Sequence, residues 1–207
     1  MKALDLRLYL VTDETCLVYL NLFEAVEEAL QAGVTLVQYR EKNGLGKEMF
    51  QKANQLRELC HRYNVPFIVN DRLDVALLSG ADGVHLGQDD LPVAEARKLA
   101  GNDFIIGATA HNVQEAMEAE AAGTDYLGCG AVFSTNTKKD TVPLGLDGLK
   151  TIREAVKIPI VGIAGITPEN YPQVLAAGAD GAAVVSGILG AEDIAGTVKR
   201  FLLAGYT

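Results

Sequence analysis

Ala177-Gly178-Ala179-Asp180 separates a helical run from the short apolar stretch 181–186, and three earlier junctions resemble it. They are Ala32-Gly33-Val34, Ser79-Gly80-Ala81-Asp82 and Ala122-Gly123-Thr124-Asp125. Each sets a glycine, the usual left-handed residue after a helix, just ahead of a strand-like run. Working outward from these points, strands are predicted at 6–13, 37–42, 66–69, 83–86, 104–108, 126–133, 159–163 and 181–186. Helices are expected between them at 20–31, 46–61, 73–79, 92–99, 113–122, 146–156 and 167–178, with a last one running to about residue 203. The four junctions then fall ahead of the even-numbered strands. Eight alternations fit into 207 residues, about 26 per unit. The strands are rich in Val, Ile and Leu, as strands covered on both faces must be. Eight βα units in succession imply an α/β fold, a closed (βα)8 TIM barrel, in one domain over residues 1–207. An open doubly wound sheet is the alternative, but no GxGxxG follows the first strand to support it.

The formal net charge of −9 speaks against nucleic acid as a partner. It also means that any anion site must be assembled locally, against the overall field. Cys16, Cys60 and Cys129 are scattered and odd in number, which argues against a disulfide framework or a zinc site. No apolar run approaches the ~18 residues of a membrane span. The first apolar run already contains Asp5 and Arg7, so no secretory leader is expected. These features fit a cytoplasmic protein without membrane or nucleic-acid partners; a homo-oligomer stays open.

Val37-Gln38-Tyr39-Arg40-Glu41-Lys42 carries the first chemical signal. Strand alternation puts Gln38, Arg40 and Lys42 on one face and Val37, Tyr39 and Glu41 on the other. If the second face packs under a helix, the first points its two cations into an enclosed space. That is costly unless an anion shares the space. Active sites of such barrels form where strands end, and the unusual residues collect there: Asp13, Asn70, Asp71, Gln88 to Asp90, Thr109, His111, Thr135 to Lys138, Gly165 and Ser186. Asp71 and Asp90 end adjacent strands and suit Mg²⁺, which takes one or two carboxylates, waters and phosphate oxygens. Helix capping by Asp71 and by Asp89 or Asp90 is the competing reading. The hydroxyl-rich loop from Ser134 to Gly145 could close over a phosphate, with Lys138 or Lys139 facing inward. Gly165 and the Val185-Ser186-Gly187 turn occupy the two loops where barrels bind phosphate. His85 reads as a buried, hydrogen-bonded histidine and His111 as a helix-start residue. No nucleophile, base and orienter set is present, so the site is expected to work by positioning and charge stabilisation.

Tyr9-Leu10-Val11-Thr12-Asp13, Gln38 through Lys42, Asn70-Asp71-Arg72, Gly83 through Pro92, Thr135 through Lys138 and Gly165-Ile166 together resemble the thiamine phosphate synthase (thiamine-phosphate pyrophosphorylase) family. They occur in the family's order along essentially the whole chain. The resemblance implies a transferase of a pyrimidinylmethyl group. It would join 4-amino-2-methyl-5-hydroxymethylpyrimidine diphosphate to 4-methyl-5-(2-phosphoethyl)thiazole, or its carboxylate form, and release pyrophosphate. It further implies that Gln38, Arg40, Lys42, Asn70, Thr109 and Lys138 hold the pyrimidine diphosphate, with Arg40, Lys42, Lys138 and Thr109 as the catalytic set. Asp71 and Asp90 would hold Mg²⁺. Thr135, Asn136, Thr137, Gly165, Val185 and Ser186 would hold the thiazole phosphate.

Three positions depart from the family's pattern. Thr109 stands where Ser is usual, Ala131 where Pro is common, and Ala164 in place of a glycine of a Gly-Gly-Ile element. Two alternatives stay open: a thiazole tautomerase of the same superfamily, and a non-catalytic thiamine phosphate binding protein. Asn70-Asp71 and Gln88 to Asp90 weigh against the first, because an isomerase ionises no diphosphate.

Overall fold

The computed structural model describes residues 4–135 and 143–205. Its eight strands are β1 Leu8–Val11, β2 Leu36–Tyr39, β3 Phe67–Asn70, β4 Gly83–Leu86, β5 Ile105–Ala110, β6 Tyr126–Cys129, β7 Ile160–Ile163 and β8 Gly181–Val184. They are parallel and close in sequence order, β1 pairing with both β2 and β8. Helices α1 Leu22–Ala32, α2 Gly46–Arg62, α3 Leu73–Ser79, α4 Val93–Ala100, α5 Val113–Ala121, α6 Gly145–Ala155, α7 Tyr171–Ala176, α8 Ser186–Leu189 and α9 Ile194–Ala204 follow the strands around the outside. This is the expected (βα)8 barrel. A seam contact ties its ends, the Tyr171 hydroxyl donating to the Arg7 carbonyl at 2.5 Å.

Strand alternation divides the core in two. Val37, Val69, Val84, Ile106 and Leu127 point outward and pack beneath the helices. Tyr9, Val11, Leu36, Ile68, Tyr126, Val161 and Ala183 point inward and fill the barrel. The expected phase of β2 is therefore correct: Tyr39 belongs to the outer layer, while Gln38 is buried inside.

The four junctions are structural clamps at the bottom of the barrel. Asp82 donates its backbone N–H to the Phe67 carbonyl and accepts the Phe67 N–H on its carboxylate at 2.7 Å. Asp125 does the same to Ile106 and Asp180 to Ile160. In the first copy Thr35 replaces the aspartate, its hydroxyl accepting the Leu8 N–H at 3.1 Å. Each clamp pins an even strand to the odd strand before it. A cationic or titratable group from the outer helices backs each carboxylate: His61 on Asp82, Arg97 on Asp125 and Arg153 on Asp180. The glycine ahead of each clamp has positive φ, from +68° at Gly80 to +114° at Gly33.

Several boundaries differ from expectation. The sixth strand stops at Cys129, four residues before Phe133, because Val132 and Phe133 turn to donate to Ile163, the last residue of β7, and to Ala164 just past it. Helix α7 starts at Tyr171 instead of near Thr167, since the Asn170 side chain accepts the Thr167 N–H and Pro172 sits in the first turn. The eighth strand ends at Val184, and Ser186 opens a separate four-residue helix before α9. The fifth strand runs on to Ala110 and so carries Thr109 within it. All three cysteines are free. Among the described residues no helix is long and apolar enough to cross a membrane.

The clamp at Asp125 joins a strand N–H, which its removal would strand, to Arg97, which would lose its counter-charge but keep the Gly101, Phe104 and Gly123 carbonyls. Asp125→Ala is expected to cost about 2–4 kcal/mol, against about 1 kcal/mol for Thr35→Ala. Urea midpoints at unchanged m-value measure both. Equal losses would show that the aspartate clamps add nothing beyond one neutral hydrogen bond.

Candidate active site

The barrel opens at the C-terminal ends of its strands into a cavity of about 620 Å³. Gln38, Arg40 and Lys42 all line it, but β2 ends at Tyr39, short of the expected residue 42, so alternation places Gln38 alone and the turn after β2 carries Arg40 and Lys42. Gln38 is only 4% exposed. The Arg40 guanidinium donates to Asp13 at 2.7 Å, and its backbone N–H donates to the Thr12 hydroxyl, which fixes the turn after β2. The Lys42 ammonium lies 2.5 Å from the Asp71 carboxylate. Asn70 ends β3 on the same wall; its residue is 7% exposed, yet its amide Nδ2 has no hydrogen-bond partner. A buried, unspent donor facing a cavity is what a site for an oxygen-rich ligand requires.

Asp71 and Asp90 are brought together from the ends of β3 and β4. Asp71 adopts a left-handed backbone at φ +61°, its N–H donating to the His85 carbonyl. Asp90 folds back to accept the Gly87 N–H at 2.7 Å. Neither caps a helix: the N-cap positions of α3 and α4 are Arg72 and Pro92, with no side-chain cap. Burial and the neighbouring Asp71 carboxylate push Asp90 above the ordinary carboxylate range, opposed by the Gly87 N–H and Lys42. Among the described residues no third His, Cys, Asp or Glu joins them. Two carboxylates this close, with the proton affinity of Asp90 raised beside Asp71, fit an open oxygen site for a hard divalent ion. They do not fit a closed protein cage.

The floor of the cavity is a layer that the sequence reading missed in part. Gln38 donates to the Tyr9 hydroxyl at 2.6 Å, Tyr9 and Tyr126 share a hydrogen bond of 2.7 Å, and Tyr126 meets His85 Nδ1 at 3.1 Å. His85 Nε2 then meets the Thr109 hydroxyl at 3.0 Å. His85 is thus the buried, hydrogen-bonded histidine expected, and burial holds it down at about 4. Burial pushes both phenols up. Room for the two rings comes from glycines: a Cβ on Gly107 would sit 2.2 Å from the Tyr126 ring, and one on Gly128 would sit 3.1 Å from His85. Tyr9 and Tyr126 carried a faint signal, being polar aromatics at inward-phase positions of apolar strands. His111 stands just ahead of α5 and its Asn112 cap, a structural place as expected, with its N–H and Nδ1 both meeting Glu115.

The opposite wall comes from the loops after β7 and β8. Ala164 and Gly165 are both left-handed, at φ +80° and +65°. For the alanine that conformation costs about 1–2 kcal/mol, which is the physical meaning of its departure from glycine. Gly165 is irreplaceable sterically, since a Cβ there would stand 2.5 Å from the Ser134 carbonyl. Thr135, Val185 and Ser186 line the same end of the cavity. Asn136, Thr137 and Lys138 lie outside the described residues.

Comparisons with known proteins agree on one family. The family model for thiamine monophosphate synthase matches residues 8–188. The chain is 48% identical to the thiamine-phosphate synthase of Clostridium acetobutylicum, covering 94% of this chain and 92% of that protein. It is 51% identical to that of Clostridium novyi, over 95% and 97%. Among solved structures it superposes on a thiamine phosphate pyrophosphorylase from Pyrococcus furiosus with TM-score 0.90 and 42% identity, covering 98% and 96% of the two chains. A 3-hexulose-6-phosphate synthase, at 18% identity and TM-score 0.70 over 96% and 99%, shares the fold alone. With a family model spanning most of its length and relatives near half identical across nearly all of it, the chain belongs to the thiamine monophosphate synthase family.

Proposed function

We propose that this chain is a cytoplasmic transferase that makes thiamine phosphate. It would join the pyrimidine diphosphate to the thiazole phosphate, or its carboxylated form, and release pyrophosphate. The observation that carries the reading is the mouth of the barrel. There Arg40, Lys42 and the unspent Asn70 amide converge beside the paired carboxylates Asp71 and Asp90. Cations and carboxylates side by side suit a metal–diphosphate, in which each phosphate oxygen finds a positive partner.

Asp71 and Asp90 would hold Mg²⁺, which when bound neutralises charge gathering on a departing diphosphate. The remaining work falls to the chain's own residues. Arg40 is held by Asp13, so its guanidinium is oriented before ligand arrives and little is lost in ordering it. Lys42 can exchange its contact with Asp71 for one with phosphate, a switch that keeps its charge paired throughout. The apolar and phenolic inner wall, with Tyr9, Val11, Val161 and Ala183 almost fully buried, keeps bulk water from a cationic pyrimidinylmethyl group below the mouth. A dissociative exchange of this kind needs no strong base. His85, held near 4 by burial, could not serve as one that also carries a proton at neutral pH. Thr135, Gly165, Val185 and Ser186 would hold the phosphate of the second heterocycle, with Asn136 and Thr137 of the adjoining loop, while Lys138 would join Arg40 and Lys42 on the pyrimidine diphosphate.

Incubating the purified protein with both heterocycles and Mg²⁺ is expected to release pyrophosphate in step with thiamine phosphate. Isomerisation of the thiazole alone, or tight thiamine phosphate binding without turnover, would contradict the proposal. Asp71→Ala and Asp90→Ala are each expected to lower kcat and to raise the Mg²⁺ concentration needed for half-maximal rate at least about tenfold, as for loss of a charged ligand. An unchanged Mg²⁺ dependence in both would remove the two carboxylates from the metal site.

A further inference from the structure

Five inward side chains from five strands form one continuous hydrogen-bonded path across the barrel: Gln38, Tyr9, Tyr126, His85 and Thr109. A phenol has one proton to give, and so does a neutral imidazole. A path built from such groups must therefore run one way from end to end. Gln38 sets the sense. Its Nε2 can only donate, so the Tyr9 oxygen accepts at 2.6 Å and Tyr9 must spend its own proton on Tyr126. Tyr126, having accepted, gives its proton to His85 Nδ1. The imidazole proton is then on Nε2 and goes to the Thr109 oxygen. A doubly protonated imidazole breaks the order, because both ring nitrogens would donate and one phenol proton would lose its acceptor.

We infer that Gln38, Tyr9, Tyr126 and His85 act as a one-way relay that turns the Thr109 hydroxyl proton toward the cavity, so that the site takes an unprotonated acceptor atom of its ligand there. Tyr9, Tyr126 and His85 are positioning residues in this role, acting on the ligand through Thr109. The acceptor is either a ring nitrogen or a phosphate oxygen. A donor group at the same point has to use the one lone pair left on the Thr109 oxygen and leaves the hydroxyl proton without an acceptor, so it binds less well. The relay is built into the backbone. Gly107 and Gly128, on β5 and β6, leave the space that the Tyr126 and His85 rings occupy. Thr109 is further held by its own carbonyl, which accepts from Gln88 at 2.5 Å.

The relay's direction is a property of the unliganded barrel and does not depend on the proposed reaction; only its kinetic effect rests on that reading. Long-range proton–nitrogen NMR of the ¹⁵N-histidine-labelled protein at neutral pH reads it directly, since the chain has only three histidines. The expected spectrum assigns His85 the Nε2–H tautomer, with Nδ1 bare. An Nδ1–H tautomer or an imidazolium overturns the inference, whether or not the protein turns over substrate. In the kinetic arm, Tyr126→Phe and Thr109→Val are each expected to lower kcat/KM for the pyrimidine diphosphate about tenfold, the worth of one hydrogen bond. The KM for the thiazole phosphate should stay within about twofold, and Thr109→Ser should retain activity. The double variant should be no worse than the poorer single one, because both changes break the same path. Fully additive losses, or equal losses toward both substrates, would mean that the floor is scaffolding only.

Discussion

Lys42, set 2.5 Å from Asp71 with Asp90 close by, is the contact around which the mouth of the barrel is arranged. The protein as a whole carries a net charge of −9 and offers no long-range attraction to an anion. Exposed charges beyond about 10 Å are screened at ordinary salt, so what matters is the immediate neighbourhood. Here the chain sets two cations beside three carboxylates, Asp13, Asp71 and Asp90. Arg40 and Lys42 are thereby oriented without leaving unpaired charge in a partly buried space. The two remaining close carboxylates make the same neighbourhood attractive to a divalent ion. A site that is tolerable when closed on itself and better when a metal–diphosphate enters is the physical core of the proposed activity.

The barrel separates this chemistry from stability. Clamps at Thr35, Asp82, Asp125 and Asp180 hold pairs of strands together at the bottom. Cations and carboxylates crowd the top, where loops can move without disturbing the clamps. Between them lies the polar path from Gln38 to Thr109, sealed below by Leu36, Ile68 and Val161. Such a path is costly if any member lacks a partner, and here each hydroxyl and ring nitrogen along it has one. The mouth is thus joined to a rigid floor, and the floor to a clamped base.

Much of this was legible in the residues. Period-two alternation placed Gln38 on the inner face, with Arg40 and Lys42 following in the turn beyond the strand, and the four glycine junctions supported the count of eight units. The charge row and the paired aspartates were readable as chemistry because carboxylates and cations at successive strand ends have few structural uses. Other features were hidden for definite reasons. Tyr9 and Tyr126 are 117 residues apart and meet only because closure brings β1 and β6 across one interior. The aspartate of three of the four junctions was visible as a repeat, but its partner lies in the preceding strand, which no local pattern reveals. The ends of β6 and β8 were overextended because apolar residues continue past the point where the backbone leaves the sheet, at Gly130 and Val185. The capping reading of Asp71 and Asp90 failed because both carboxylates were already spent, on Lys42 and on Gly87.

A crystal structure of the protein with pyrophosphate and Mn²⁺, the metal located by its anomalous signal, is the most direct test of the central claim. The diphosphate is expected within hydrogen-bond reach of Arg40, Lys42 and the Asn70 amide, with the metal between Asp71 and Asp90 and Lys42 drawn off Asp71. Metal bound elsewhere, or a diphosphate seated only on the loops after β7 and β8, would contradict it.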